Sequence, residues 1–330
     1  MFHAHLINDP ASDPGVYLKL KHRREALLFD MGELHGLAPR QILKISNVFI
    51  SHTHVDHFIG FDHLLRICLG RDLHINLFGP PGFIKNIEGK FASYSWNLVE
   101  NYTNDFSLSV TEIGEHTQIS FDYSCRKGFK AENNGIMARA ANDNILERRD
   151  FNVKTACLDH KIPSLAYRVE EKEHINIMKN NLLEAGLSPG PWLEKLKEGI
   201  RNNKPNDMPI VATTVEGGNT AISLGKLKAS IVKISAGKIF SYVADARYNP
   251  GNIKKILYIA DKADTLFIEA SFLQEDYRTA FEKYHLTAHQ AGSLAREAQV
   301  KNIEIFHISP KYKGCEYLLH AEAQEALRGM

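Results

Sequence analysis

Cysteine is scarce, four in 330 residues, and Cys68, Cys125, Cys157 and Cys315 stand far apart with no Cys-x-x-Cys pair. That spacing argues against a disulfide framework and a thiolate zinc site, and fits a reducing, cytoplasmic location. Net charge is nearly absent: 40 Lys and Arg against 39 Asp and Glu leave +1. No overall field therefore draws the chain to nucleic acid, and any such binding must be local. No run approaches the roughly 20 apolar residues that span a bilayer, so no membrane association is expected. The opening Met1-Phe2-His3-Ala4-His5-Leu6-Ile7 lacks the basic start and sustained apolar run of a leader. Repeats and low-complexity segments are missing too. What is present is an apolar content of 44%, enough to bury a substantial core as one domain over residues 1–330.

The most informative stretch is Ser51-His52-Thr53-His54-Val55-Asp56-His57, which follows a buried-strand pattern at Asn47-Val48-Phe49-Ile50. Three imidazoles and a carboxylate at the end of a strand can converge on a metal of the zinc type. Other strand ends offer further ligands. The pattern Lys238 to Ala244 reads as a buried strand ending at Asp245, and Ile303 to Phe306 as one ending at His307. His160 precedes a strand pattern within Lys161 to Val169. Loops beyond the ends of a rigid sheet are where such side chains gather. Further on, Thr287 and Gln290 form a capping box and Ala288, Ala291, Leu294, Ala295 and Ala298 recur at helical spacing, so a helix begins near Ala288. His285 lies in the loop before it, where a helix N-terminus favours neutral imidazole and a nearby phosphate favours the cation. Such a histidine can exchange a proton near neutral pH.

These segments resemble the metallo-β-lactamase superfamily and, within it, the ribonuclease Z branch, over nearly the whole chain. Leu27 to Glu33 is similar to the family's strand and Asp-x-Gly-Glu turn, Val48 to Gly60 to its metal motif, and Leu77 to Gly82 to its Tyr-Gly-Pro segment. Asp159 to Arg168 resembles the third-ligand motif and Ala263 to Phe272 a later core strand. The branch is indicated by Gly186-Leu187-Ser188-Pro189-Gly190-Pro191, by Tyr284-His285-Leu286-Thr287 and by His307-Ile308-Ser309-Pro310-Lys311-Tyr312.

The resemblance implies an α/β chain with the αββα four-layer sandwich of the metallo-β-lactamase fold and an inserted arm. It implies two zinc ions, with manganese or iron able to take the same ligands. His52, His54 and His160 would hold one, Asp56, His57 and His307 the other, and Asp245 would bridge them. Asp56 would also orient the attacking water, and His285 would protonate the departing ribose oxygen. The implied activity is an endoribonuclease maturing the 3′ end of precursor tRNA, leaving a 3′-hydroxyl on the body and a 5′-phosphate on the trailer. A homodimer is implied as well, one subunit's arm gripping tRNA cut by the other. A phosphodiesterase of the same fold acting on another RNA or a smaller diester is the alternative.

Residues of about 170–234 are too many for a simple connection and read as the inserted arm. Helical character over Ile175 to Ala185 stops at Gly186, Pro189-Gly190-Pro191-Trp192 breaks the chain, and Gly217-Gly218-Asn219 reads as a turn. Gly190, Pro191, Lys195 and Lys197 are candidate substrate contacts here, with Lys179, Arg201 and Lys204, while Ser309 and Lys311 are candidates beside the final ligand; contacts of this kind read shape and phosphate.

Several supports depart from the family pattern. Leu6 to Gly15 replaces a Gly-Thr-Gly turn, Thr53 and Val55 stand for a larger apolar residue and glycine, and Ala244-Asp245-Ala246 stands for Gly-Asp-Thr. Lys311 replaces an arginine and so loses bidentate contact. His289 stands where a glutamate is expected to follow the His285 motif and orient that imidazole.

Overall fold

The computed structural model of the chain describes residues 2–20, 23–138 and 143–329. It divides into two compact units, Met1–Glu170 with Lys238–Met330, and Glu171–Gly237.

The first unit is built on two sheets. One has eight strands in chain order, Phe2–Leu6, Val16–Leu20, Ala26–Phe29, Ile45–Phe49, Leu73–Gly79, Phe106–Ile113, Thr117–Ser124 and Ala131–Ala138. The other has six, in the spatial order Ile303–Phe306, Thr265–Glu269, Ile239–Val243, Pro163–Glu171, Phe151–Asp159 and Asn144–Glu147. Period-two alternation sorts their side chains into three apolar layers. Leu28, Val48 and Ile50 face the helices Phe61–Cys68 and Phe83–Ala92 through Phe61, Leu64, Phe83 and Ile87. Their neighbours Leu27, Phe29 and Phe49 point the other way, onto Tyr167, Phe240, Tyr242 and Phe306 of the second sheet. Behind that sheet, Val243, Leu266, Ile268 and Ile305 meet Ile256, Ile259, Ala291 and Leu294 of the helices Pro250–Ala260 and Ala288–Glu297. The order is helix, sheet, sheet, helix, as the sequence led us to expect. Stacked rings thicken the centre: Phe29–Phe49 and Phe49–Phe78 both lie at 5.1 Å between centroids, each such pair adding about 0.5–1.5 kcal/mol beyond its buried area.

Parallel pairing sets where chemistry can gather. Ile239–Val243, Thr265–Glu269 and Ile303–Phe306 run parallel, so each needs a helical crossover and all finish at one edge. Their last residues lead to Asp245, Glu269 and His307. Across the sandwich, Ala26–Phe29 and Ile45–Phe49 are also parallel and lead to Asp30 and Ser51. Hydrogen bonds tie these edges together. The Tyr167 hydroxyl donates to the Ile50 carbonyl at 2.6 Å, and the Leu165 N–H to the Ser51 carbonyl at 2.8 Å.

The second unit leaves the chain between the antiparallel neighbours Pro163–Glu171 and Ile239–Val243. It has its own core, in which Ile175, Leu182, Trp192, Leu196, Leu227 and Ile231 are buried. The expected helix over Ile175 to Ala185 is only half right. His174–Ile177 is a strand paired with Val232–Ser235, and the helix is confined to Lys179–Glu184. Ile175 and Ile177 alternate with polar neighbours, and a partner distant in sequence settles the strand. Gly186 ends the helix with φ +69, a left-handed value that glycine takes without strain. Gly217 and Gly218 do lie in the turn of a hairpin, Pro209–Thr213 with Asn219–Ser223, while Asn219 opens the second strand.

Candidate metal centre

The strand Ala26–Phe29 delivers Asp30 with a left-handed backbone, φ 55, and its buried carboxylate becomes the hub of the site. Asp30 Oδ1 accepts from the Ser51 N–H at 2.6 Å. Oδ2 accepts from Ser51 Oγ at 2.7 Å, His57 Nδ1 at 2.8 Å and the Tyr242 hydroxyl at 2.7 Å. With Nδ1–H given to Asp30, the lone pair of His57 is on Nε2, turned into the cluster. The turn after Asp30 packs directly on the motif. The Met31 N–H bonds the His57 carbonyl, and a Cβ on Gly60 would stand 2.1 Å from the Gly32 carbonyl oxygen, which only glycine permits.

All seven expected ligands come together. His52, His54, His160 and Asp245 offer donor atoms within 4.8 Å of one another, and so do Asp56, His57 and His307. Asp245 Oδ2 is 3.8 Å from His52 Nε2 and 3.4 Å from His160 Nε2. Asp245 Oδ1 is 3.4 Å from His57 Nε2 and 3.0 Å from His307 Nδ1. One carboxylate therefore faces both groups. His307 Nε2 lies 3.1 Å from Asp56 Oδ2. His57 Nε2 and Asp245 Oδ1 are buried yet have no partner in hydrogen-bonding geometry. Unpaired buried polar atoms are destabilising, and lone pairs aimed at a shared point rather than at each other are what a cation needs. The donor set fits zinc or its neighbours. His54 is exposed and Asp56 partly so, which opens the cluster to solvent on that side.

Burial and neighbouring charges set the protonation preference of each donor. Burial and the charge of His57 push His52 down to about 2, which keeps its imidazole neutral. Burial also disfavours the His57 cation, but Asp245 and Asp30 outweigh it and raise that pKa to about 10. Burial works against the Asp56 carboxylate as well, yet the hydrogen bond from His307 and the charge of His57 hold it well below the usual range.

His285 sits beside this group, its Nδ1 2.9 Å from Glu269 Oε2 and 3.8 Å from Asp245 Oδ2. Burial lowers its pKa, and the Glu269 carboxylate more than offsets this, for a net rise. The expectation that position 289 would carry the orienting group is corrected here: His289 is exposed on the first turn of its helix, and Glu269 takes the part. Glu269 is fully buried, and it also accepts from the Ala246 N–H at 2.7 Å, Ser271 Oγ at 2.9 Å and the Leu286 N–H at 3.3 Å. A third set of donors, Asp245, Glu269, His285 and His307, lies equally close, but the Glu269 oxygens are already saturated by these four donors. The capping box of Thr287 and Gln290 is present, and its helix starts at Ala288.

Sequence reasoning missed Asp30, Glu269 and Asn252. The first two each ended an apolar strand pattern with a carboxylate, which was a usable signal. Asn252 was not visible: it is buried and clamps two site loops, bonding Asp159 N and O at 2.8 and 2.9 Å and the Arg247 carbonyl at 2.8 Å. Strain also collects here, since Lys161, Tyr284 and His307, like Asp30, have positive φ.

The expected substrate contacts fall in both units. Ser309 is partly buried beside His307, its Oγ accepting from the Lys311 N–H. Lys311 is exposed and turned to Asp276. Gly190, Pro191, Lys195 and Lys197 belong to the second unit, where Pro191 caps the helix Trp192–Arg201 and Lys195 is exposed.

No family model matches the chain. Curated relatives do. It is 30% identical over 317 residues to Ribonuclease Z of Bacillus cereus (strain ZK / E33L), covering 93% of this chain and 86% of that one. It is 24% identical to Ribonuclease Z of Deinococcus radiodurans over 334 residues, covering 99% and 96%. Among solved structures it is similar to human tRNase Z, short form, with a TM-score of 0.53 at 16% identity and 94% of each chain covered. It is also similar to the metallo-beta-lactamase fold protein YhfI of Bacillus subtilis, with a TM-score of 0.55 at 14% identity, covering 98% of this chain and 92% of that one. With the αββα sandwich, the convergent ligands and a 30% relative along most of its length, the chain belongs to the ribonuclease Z family of the metallo-β-lactamase fold.

Proposed function

We propose that this chain is a metal-dependent endoribonuclease that hydrolyses a phosphodiester in precursor tRNA to mature its 3′ end. The observation that carries the reading is the meeting of seven histidine and aspartate donors, two with unpaired buried atoms, beside a histidine backed by a buried glutamate. In this reading His52, His54, His160 and Asp245 would hold one zinc ion, and Asp56, His57, His307 and Asp245 would hold a second, with manganese or iron acceptable to the same donors. Such a pair supplies Lewis acidity toward a phosphoryl oxygen and lowers the pKa of water.

The chain's own groups do the rest. Asp56, partly exposed, accepts a hydrogen bond from the attacking water and orients it. Water adds through its oxygen to phosphorus and releases one proton to solvent, the bond to the ribose 3′ oxygen breaks, and His285 gives that oxygen its proton from Nε2 and regains one from solvent, so that the body leaves with a 3′-hydroxyl and the trailer with a 5′-phosphate. Glu269 fixes the tautomer by accepting from Nδ1. The second unit serves as an arm for the folded RNA, with Lys195 and Lys197 as phosphate contacts. The protein works as a homodimer in the cytoplasm.

Zinc-loaded protein is to be given an unprocessed tRNA and, separately, bis-p-nitrophenyl phosphate. Cleavage of both supports the proposal. Cleavage of the ester alone would replace it with a phosphodiesterase of smaller substrates, which the near-neutral charge would suit, and cleavage of neither would overturn it.

A further inference from the structure

We propose that Arg247 is a phosphate-binding residue for the RNA strand, gripping the phosphodiester next to the one that is cut. This rests on reading the chain as an endoribonuclease. Arg247 stands two residues beyond Asp245, and its guanidinium carbon lies 3.8 Å from the centroid of the Phe281 ring and 4.4 Å from that of Tyr284. Contact with two rings takes up the faces of the guanidinium and leaves its N–H edge for hydrogen bonding.

That edge is unused. Nε is buried without a hydrogen-bond partner, and among the described residues no side-chain carboxylate forms an ion pair with Arg247. Two other basic groups of this unit are already engaged: Arg168 is bound to Glu170 and to the Ile259 and Asp261 carbonyls, and Lys311 to Asp276. A donor edge held flat by rings and left unpaired matches a ligand with two oxygens in one plane, which a phosphodiester presents.

Its mounting connects it to the reaction. The Arg247 N–H is held by the Asp159 carbonyl at 3.0 Å, and its own carbonyl by Asn252. The Tyr284 carbonyl accepts from His160 Nδ1 at 2.8 Å, and the next residue is His285. One set of loops therefore carries a metal ligand, the proton donor and this cation. Phe281 is still 45% exposed, which offers a neighbouring base a ring to stack on.

The test compares Arg247→Met and Arg247→Lys with the parent. Binding of precursor tRNA is measured in the zinc-loaded His285→Ala background, which stops turnover, across a range of salt, and cleavage is measured with His285 intact. Arg247→Met should weaken binding about 10–100-fold and make the slope of log affinity against log salt shallower by about 0.7, the share of one phosphate on a single strand. The ratio of kcat/KM for precursor to that for bis-p-nitrophenyl phosphate, which has no adjoining nucleotide, should fall about tenfold or more. Arg247→Lys should keep the salt slope and lose part of the affinity, and it also serves if the methionine variant fails to fold. Unchanged affinity and slope, or equal loss on both substrates, would overturn the proposal. If the parent cuts no precursor the endoribonuclease reading falls by itself, while the salt slopes still decide Arg247; if it binds no RNA, both fall.

Discussion

Replacing Asp30 with asparagine should weaken one metal position and leave the other nearly intact. The carboxylate accepts four hydrogen bonds, three on Oδ2 and one on Oδ1. The amide oxygen can take over the three, but the amide nitrogen then faces the Ser51 N–H, a backbone donor that cannot rotate away. One charge-assisted bond is lost, an N–H is left unpaired, and stability should drop by about 2–4 kcal/mol. His57 meanwhile loses an anionic partner at Nδ1. Removing a partner of this kind costs about 10–100-fold in metal affinity, or roughly 1.4–2.8 kcal/mol. Among the described residues only the group of Asp56, His57 and His307 contains His57, so zinc titration against a chromophoric chelator should show a first equivalent close to the parent's and a weakened second. Tyr242→Phe is the control, because it removes one donor and keeps the charge. It should cost about 1 kcal/mol of stability and shift zinc affinity by less than about threefold. Equal weakening of both equivalents in Asp30→Asn would mean general loosening, and no weakening would refute Asp30 as the orienter of His57.

His285→Ala should lower precursor cleavage by about 10²–10⁴-fold with zinc content unchanged, Glu269→Gln should lower it by less, and the double variant should be no worse than His285→Ala alone, since Glu269 acts through that ring. Additive losses in a kinetic cycle would separate the two residues. Replacing residues 171–238 with a two-residue Asn-Gly turn should be structurally feasible, because Glu170 and Ile239 sit opposite each other in an antiparallel pair and such a turn can close the hairpin. The shortened protein should hydrolyse bis-p-nitrophenyl phosphate but bind precursor at least about tenfold more weakly, whereas loss of both would make the segment part of the core.

The candidate ligands stand out in the sequence for a physical reason. Metal donors at strand ends come with an apolar run in front of them, as at Phe49-Ile50 before His52 and Ile305-Phe306 before His307. The helix before which His285 lies was equally visible through its capping box. The orienting groups were harder to read, because a carboxylate that serves an imidazole 16 or 27 residues away, as Glu269 serves His285 and Asp30 serves His57, leaves no local pattern. The family pattern puts the orienting group at position 289, whereas in this chain Glu269, at the end of a core strand, holds His285. His174–Ile177 was misread as helix for a related reason: four residues carry little periodicity, and their partner lies at Val232–Ser235.

The central claim is that these seven side chains hold two cations around a shared Asp245. Elemental analysis of protein purified without added chelator, repeated after dialysis against zinc, tests it most directly. The account predicts two equivalents per chain, and fewer than two for both Asp245→Ala and His57→Ala. A folded parent that takes up no metal, or an Asp245→Ala variant that still binds two equivalents, would contradict it.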